Sequence, residues 1–125
     1  MSERRALICE DDASIRALVK TVIARQGFTV DVAEDGALGI DRIEEDCYEL
    51  IVLDLMMPKV DGYAVIDYLR NRRPKTLKRV IIMTAATEAL RTEFPAPICT
   101  LIPKPFNIES LTAAVESCAN ACGTD

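Results

Sequence analysis

One run most constrains the fold of this chain: Leu50-Ile51-Val52-Leu53, four apolar residues that stop at a carboxylate, Asp54. It lies in the stretch YELIVLDLMMPKVDGYAVI at residues 48–66. So short and unbroken an apolar run suits a strand buried on both faces, as in a parallel sheet. Desolvating an unpaired carboxylate is costly, so Asp54 belongs at the end of such a strand and not within it. In open α/β sheets the carboxyl ends of the strands are where the ligand crevice lies. Asp54 is therefore the first candidate for a chemical residue. Read alone, it could equally be an ordinary strand-end aspartate capping the turn that follows.

The same sentence is written along the whole chain. Residues 6–9 (ALIC) form a second short apolar run, followed by Glu10-Asp11-Asp12. Ile15, Leu18, Val19, Val22 and Ile23 then recur at helical spacing, and Gln26-Gly27 closes the helix with Gly27 at C′. Residues 28–32 (FTVDV) alternate as a half-buried strand, and Asp35-Gly36 turns the chain. A weaker helix is expected over residues 37–45 with Leu38, Ile40 and Ile43 inward, and a third over about 62–72 with Ile66 and Leu69 inward. The basic run at 70–79 is expected to be a solvated helix end and loop. Residues 80–83 are a buried strand ending at Thr84. A helix over 87–93 has room for barely two turns before Phe94-Pro95. Residues 98–102 read as the last strand, and Asn107 as the N-cap of a last helix with Ile108, Leu111, Val115, Cys118 and Cys122 on its apolar side.

Short apolar strands alternating with helices imply an α/β fold, a parallel sheet covered on both faces. The expected architecture is a doubly wound five-stranded sheet in the order 2-1-3-4-5, flavodoxin-like, with a short or irregular fourth helix. Pro103 agrees, because it puts the fifth strand at an edge where a missing N–H is tolerated. With 125 residues, one domain (1–125, core about 5–121) and no output domain are expected. A net charge of −5 argues against a general nucleic-acid surface. No apolar run approaches the length of a membrane span, and the first residues lack the apolar region of a signal peptide. The five cysteines, Cys9, Cys47, Cys99, Cys118 and Cys122, show no CxxC spacing, and the chain has no histidine. Structural zinc is therefore not expected; reduced packing thiols and a cytoplasmic location are.

In this order the polar residues at the strand ends converge: Glu10 and Asp11 from the first strand, Asp54 from the third, Thr84 from the fourth, Lys104 from the fifth. Three carboxylates in one pocket repel one another, and a hard divalent cation relieves that; Mg²⁺ takes one or two carboxylates plus water and phosphate oxygens. Thr84 offers a hydroxyl and Lys104 a point charge, both suited to a phosphoryl group. Asp54, single and central, is the choice of nucleophile for an aspartyl phosphate.

On these residues the chain resembles a response-regulator receiver domain, the phosphoacceptor of two-component signalling. The motifs are LICEDD at the first strand end, LDLMMPKVDG around Asp54, MTA at 83–85 and PKPF at 103–106, and the resemblance spans about residues 5–121. It implies Mg²⁺ held by Glu10, Asp11, Asp54 and the Met56 carbonyl. It implies phosphorylation of Asp54 by a histidine kinase, a histidine phosphotransfer protein or a small phosphodonor. Thr84 and Lys104 would bind the phosphoryl oxygens, and the Lys104-Pro105 bond would be cis. The domain would catalyse its own Mg²⁺-dependent phosphorylation and dephosphorylation without being a dedicated enzyme. Output would pass to a downstream effector protein, with no direct contact to nucleic acid or membrane.

The sequence departs from the family pattern in two places. Leu101 stands three residues before the lysine, where many receivers carry an aromatic ring that swings. The segment between Thr84 and Lys104 is short and holds Pro95 and Pro97. Signalling by backbone movement over 84–93 is expected instead of a ring swing. Other functions fit less well. A haloacid-type phosphatase needs an acid where Met56 stands, and the acidic EDDASI after the first strand repels the phosphate of a nucleotide or flavin. The alternative kept open is a non-phosphorylated pseudo-receiver serving as a protein-interaction module.

Overall fold

The computed structural model describes residues 4–85 and 97–122. Five parallel strands, β1 (Arg5–Cys9), β2 (Thr29–Ala33), β3 (Leu50–Leu53), β4 (Val80–Ala85) and β5 (Thr100–Lys104), form one sheet in the order β2-β1-β3-β4-β5. The helices are α1 (Ala13–Arg25), α2 (Gly36–Glu45), α3 (Gly62–Arg72) and α4 (Ile108–Cys118), with a 3₁₀ segment at Pro74–Arg79. This is the doubly wound architecture expected from the alternation of strands and helices. The short helix expected over 87–93 lies outside the described residues.

The sheet divides the interior into two layers because successive side chains of each strand point to opposite faces. Leu7, Cys9, Ile51, Leu53, Val80 and Ile82 meet Ile43 of α2 and Val65 and Leu69 of α3. Ala6, Ile8, Leu50, Val52, Ile81 and Met83 meet Val19 and Ile23 of α1 and Leu111 and Val115 of α4. All four residues of β3 are fully buried, which is why its sequence shows no alternation.

Several expectations are corrected. Leu18, assigned to the inward stripe of α1, is 44% exposed; the buried stripe is Val19, Val22 and Ile23. The basic run does not end as a solvated loop. Pro74 opens the 3₁₀ segment, Leu77 is buried in the first core layer, and Arg79 is buried with its guanidinium donating to the Thr76 hydroxyl at 3.1 Å. β5 lies two residues later than expected and runs through Pro103 to Lys104, since an edge strand can carry a residue without an N–H.

The thiol reading is corrected at four cysteines. Cys47 is bonded to Cys122 and Cys99 to Cys118; only Cys9 remains a buried free thiol. The partners are 75 and 19 residues apart, so only the folded chain brings them together. Among the described residues no helix is long and apolar enough to cross a membrane.

Candidate functional site

The site stands where β1, β3, β4 and β5 run out. β1 and β3 are adjacent, and the Asp54 N–H donates to the Cys9 carbonyl at 3.0 Å, carrying the ladder one residue past the strand. The Glu10 N–H does the same to the Ala33 carbonyl. Glu10 and Asp54 are thereby fixed side by side on rigid backbone. Both are buried, at 1% and 4% exposure, whereas Asp11 is exposed. One carboxylate oxygen from each of Glu10, Asp11 and Asp54 lies within 4.8 Å of the other two.

Lys104 reaches this group from β5. Its Nζ donates to Glu10 Oε1 at 2.7 Å and to Asp54 Oδ2 at 3.0 Å. The other oxygen of Asp54, Oδ1, accepts the Met56 N–H at 3.1 Å. Burial is the main influence on the Glu10 carboxyl and lifts it to about 7; Lys104 opposes the rise and Asp54 adds to it. Burial works against the Lys104 ammonium, yet Glu10 and Asp54 outweigh it and hold lysine above its ordinary value.

Thr84 is fully buried, and its hydroxyl has no hydrogen-bond partner among the described residues. A buried hydroxyl without a partner costs about 1–3 kcal/mol, so its presence calls for an explanation. The Lys104-Pro105 peptide bond is cis.

The loops fold tightly around this group. Gly62 opens α3 directly over the Asp54 backbone: a Cβ there would stand 2.4 Å from the Asp54 carbonyl oxygen and 2.6 Å from Leu55 Cα. Only glycine lets the loop return so closely, and the Gly62 N–H donates to the Leu55 carbonyl at 2.9 Å. Asp12 and Asp61 cap α1 and α3 beside the site, their side chains accepting from the Ile15 and Ala64 N–H groups.

The structure thus brings Glu10, Asp11, Asp54 and Lys104 together, with Thr84 at the end of the intervening strand and Met56 in the loop beside Asp54. Sequence reasoning missed Arg16. Its guanidinium donates to the Glu10 carbonyl at 3.0 Å and the Asp11 carbonyl at 3.3 Å, which fixes the acidic turn from the first turn and a half of α1. Its signal is its place, four residues after the Asp12 cap on the helix that the acidic run opens.

Comparison with known proteins agrees with this fold. The model of the response regulator receiver domain matches residues 6–116. The chain belongs to this family. The receiver domain is 36% identical over 118 residues to the transcriptional regulatory protein ResD of Bacillus subtilis, covering 93% of this chain and 48% of ResD. It is 32% identical over 115 residues to the response regulator ArlR of Staphylococcus epidermidis, covering 89% of this chain and 50% of ArlR. The chain therefore spans about half the length of the curated relatives it matches. Among solved structures, the response regulator protein TrrA of Thermotoga maritima, crystallised in complex with Mg²⁺-BeF, superposes with a TM-score of 0.80 at 27% identity, covering 90% of this chain and 96% of TrrA.

Proposed function

We propose that this receiver accepts a phosphoryl group on Asp54 in a Mg²⁺-dependent reaction and passes the signal to a partner protein. The observation that carries the reading is the Thr84 hydroxyl, fully buried and without a partner among the described residues, at the same sheet end as the carboxylates that Lys104 bridges. A phosphoryl group on Asp54 supplies the acceptor oxygens that such a hydroxyl lacks.

The donor set also fits a hard divalent cation. Oxygen ligands from Glu10, Asp11 and Asp54, joined by the Met56 carbonyl, leave positions for water and a phosphate oxygen. When bound, Mg²⁺ supplies charge neutralisation for the incoming phosphoryl group. The residues do the rest. Asp54 presents a nucleophilic oxygen on backbone that β1 and β3 hold rigid. Lys104, already on Asp54, offsets the negative charge that phosphorylation adds, and Thr84 donates to a phosphoryl oxygen. TrrA, of the same fold, binds Mg²⁺-BeF, which supports the same ligand chemistry here.

The phosphodonor is a histidine kinase or histidine phosphotransfer protein, and the receiver of the signal a downstream effector. The surface beside the site suits such a protein. Leu18 and Met56 are large apolar residues left 44% and 58% exposed, and Ile15, Leu18, Ala85, Pro105 and Phe106 line a hollow next to Lys104. A pseudo-receiver reading gains no support, since none of the five residues of the site is replaced. The proposed signal runs through the backbone after Thr84, where Leu101 offers no ring to swing; residues 86–96 of that path lie outside the described structure.

The test is incubation with a small acyl phosphate or phosphoramidate, read by intact mass. One phosphoryl group should be gained with Mg²⁺ present and none without it. Asp54→Asn should gain none. Labelling that persists in Asp54→Asn, or that no donor produces, overturns the assignment.

A further inference from the structure

At the opposite end of the sheet from Asp54, the backbone that follows α4 is seated by three separate ties. The Asn120 N–H donates to the Glu49 carbonyl at 3.1 Å, just before β3 begins. Arg79, buried at the end of the 3₁₀ segment, donates from Nη1 to the Ala121 carbonyl at 3.3 Å. Cys122 is joined to Cys47, with the two Cα atoms 6.1 Å apart. The first two are non-covalent and come from different elements. They fix the direction of residues 119–122 and set Cys122 beside Cys47.

The two disulfides differ in what surrounds them. Cys47 and Cys122 are both exposed. Cys118 is 3% exposed and belongs to the second core layer, with Cys99 packed partly buried against it. Cys99 and Cys118 also line a surface hollow, so what separates the two bonds is less the access of a thiolate to a sulfur than what each bond holds in place. Breaking the Cys99–Cys118 bond disturbs core packing, whereas breaking Cys47–Cys122 frees only a surface segment. Two hydrogen bonds independent of the sulfurs also seat that segment.

We infer that Cys47 and Cys122 form a reversible redox modification site, an exposed clamp whose state sets how firmly the segment after α4 is held to the amino-terminal end of the sheet. The co-reactant is a low-molecular-weight thiol–disulfide couple. In oxidation, the thiolate of one cysteine attacks a small disulfide RSSR, forming a mixed disulfide and releasing RS⁻. The second cysteine thiolate then attacks the protein sulfur of that mixed disulfide and expels the other RS⁻. Two protein thiols and RSSR become one protein disulfide and two RSH, and two electrons pass from protein to co-reactant. Reduction is the reverse. The step uses none of the residues of the phosphoacceptor site and stands independently of that reading.

The test uses the wild-type chain equilibrated in glutathione mixtures of graded ratio, quenched in acid, alkylated and mapped by peptide mass. Cys47 and Cys122 should become alkylated together at a glutathione ratio at least about tenfold less reducing than that needed for Cys99 and Cys118. They should re-form their bond when the ratio is reversed. In the same samples, hydrogen exchange over residues 119–122 should speed up about tenfold on reduction while the five strands keep their protection. Cys122→Ser should show the fast exchange in every mixture, and Cys99→Ser/Cys118→Ser should retain the redox response of the remaining pair. The inference is overturned if Cys47 and Cys122 stay reduced in oxidising mixtures, or if exchange over 119–122 is the same in both states. Reduction of this pair that unfolds the sheet also overturns it, because the bond would then be a structural staple and not a switch.

Discussion

Asp31 is a charged residue in the middle of a strand, and the structure gives it two partners. Its Oδ2 accepts from the Tyr48 hydroxyl at 2.6 Å and from the Arg5 guanidinium. Burial is the largest influence and disfavours its charge, yet Tyr48 and Arg5 together outweigh it and hold the carboxyl below the ordinary aspartate value. A carboxyl whose pKa is lowered on folding stabilises the fold above its unfolded value, and that contribution is lost as pH falls through the folded value. Asp31→Asn should therefore cost about 1–3 kcal/mol at neutral pH, as expected for lost hydrogen bonds to a charged acceptor. The gap from wild type should close as the solution is acidified through the lowered pKa. Urea unfolding of both proteins across acid to neutral pH measures it; a gap that does not change with pH would mean that the charge of Asp31 contributes nothing. Asp31 was not legible as a paired residue, because in FTVDV it only fills a polar place in an alternation. Glu10, Asp54, Thr84 and Lys104 were legible for the opposite reason: each breaks or follows an apolar run that has no other use for a polar group. Arg16 was hidden because it acts through backbone carbonyls, which carry no sequence signature.

Of the four helix caps only Asn107 was read as one from the sequence, although the other three use the same device. Asp12, Asp35, Asp61 and Asn107 each stand in extended backbone and accept the N–H three residues on, at 2.9, 2.9, 3.0 and 2.7 Å. Each cap follows the end of a strand or its loop, so one short side chain both stops the extended chain and satisfies a helix donor. Asn107→Ala should lower stability by about 1 kcal/mol, and Asn107→Asp should retain it, since a carboxylate both caps and favours the helix N-terminus. Denaturant midpoints with unchanged slope are the readout; an Asn107→Ala midpoint equal to wild type would deny the cap its role. Element ends were less readable where tertiary contacts decide them. Pro103 marked β5 as an edge strand, but not that the strand runs on through it to Lys104, an extent set by its pairing with β4. The 3₁₀ segment is held by Leu77 in the core and Arg79 against Thr76 and Ala121, contacts made only in the folded chain. The disulfides were unreadable for the same reason, as their partners, 75 and 19 residues apart, meet only in the folded chain.

At the scale of the whole molecule, the strand order decides the chemistry. With β1 and β3 adjacent and β5 beyond β4, Lys104 must reach back across the sheet end to touch Glu10 and Asp54. It does so while only 20% exposed, with side-chain exposures of 1% and 6% for its partners. Without a metal, Lys104 is the counter-charge that lets two buried carboxylates coexist; with a metal bound to the same acids, that duty is shared. Lys104→Met should therefore destabilise the metal-free protein by about 3 kcal/mol, the typical cost of leaving a buried charge without its partner. Magnesium should then stabilise the variant more than it stabilises wild type, because in wild type the ammonium already occupies part of the field that the cation would fill. Ligand linkage makes this measurable as the rise in unfolding free energy between metal-free and magnesium-containing buffer. Adding Asp11→Asn to the variant should remove most of that rise, since it takes away one of the three clustered acids while leaving Glu10 and Asp54 in place. An equal magnesium effect in wild type and Lys104→Met would mean that lysine and metal do not share the same carboxylates. An undiminished effect after Asp11→Asn would place the cation elsewhere.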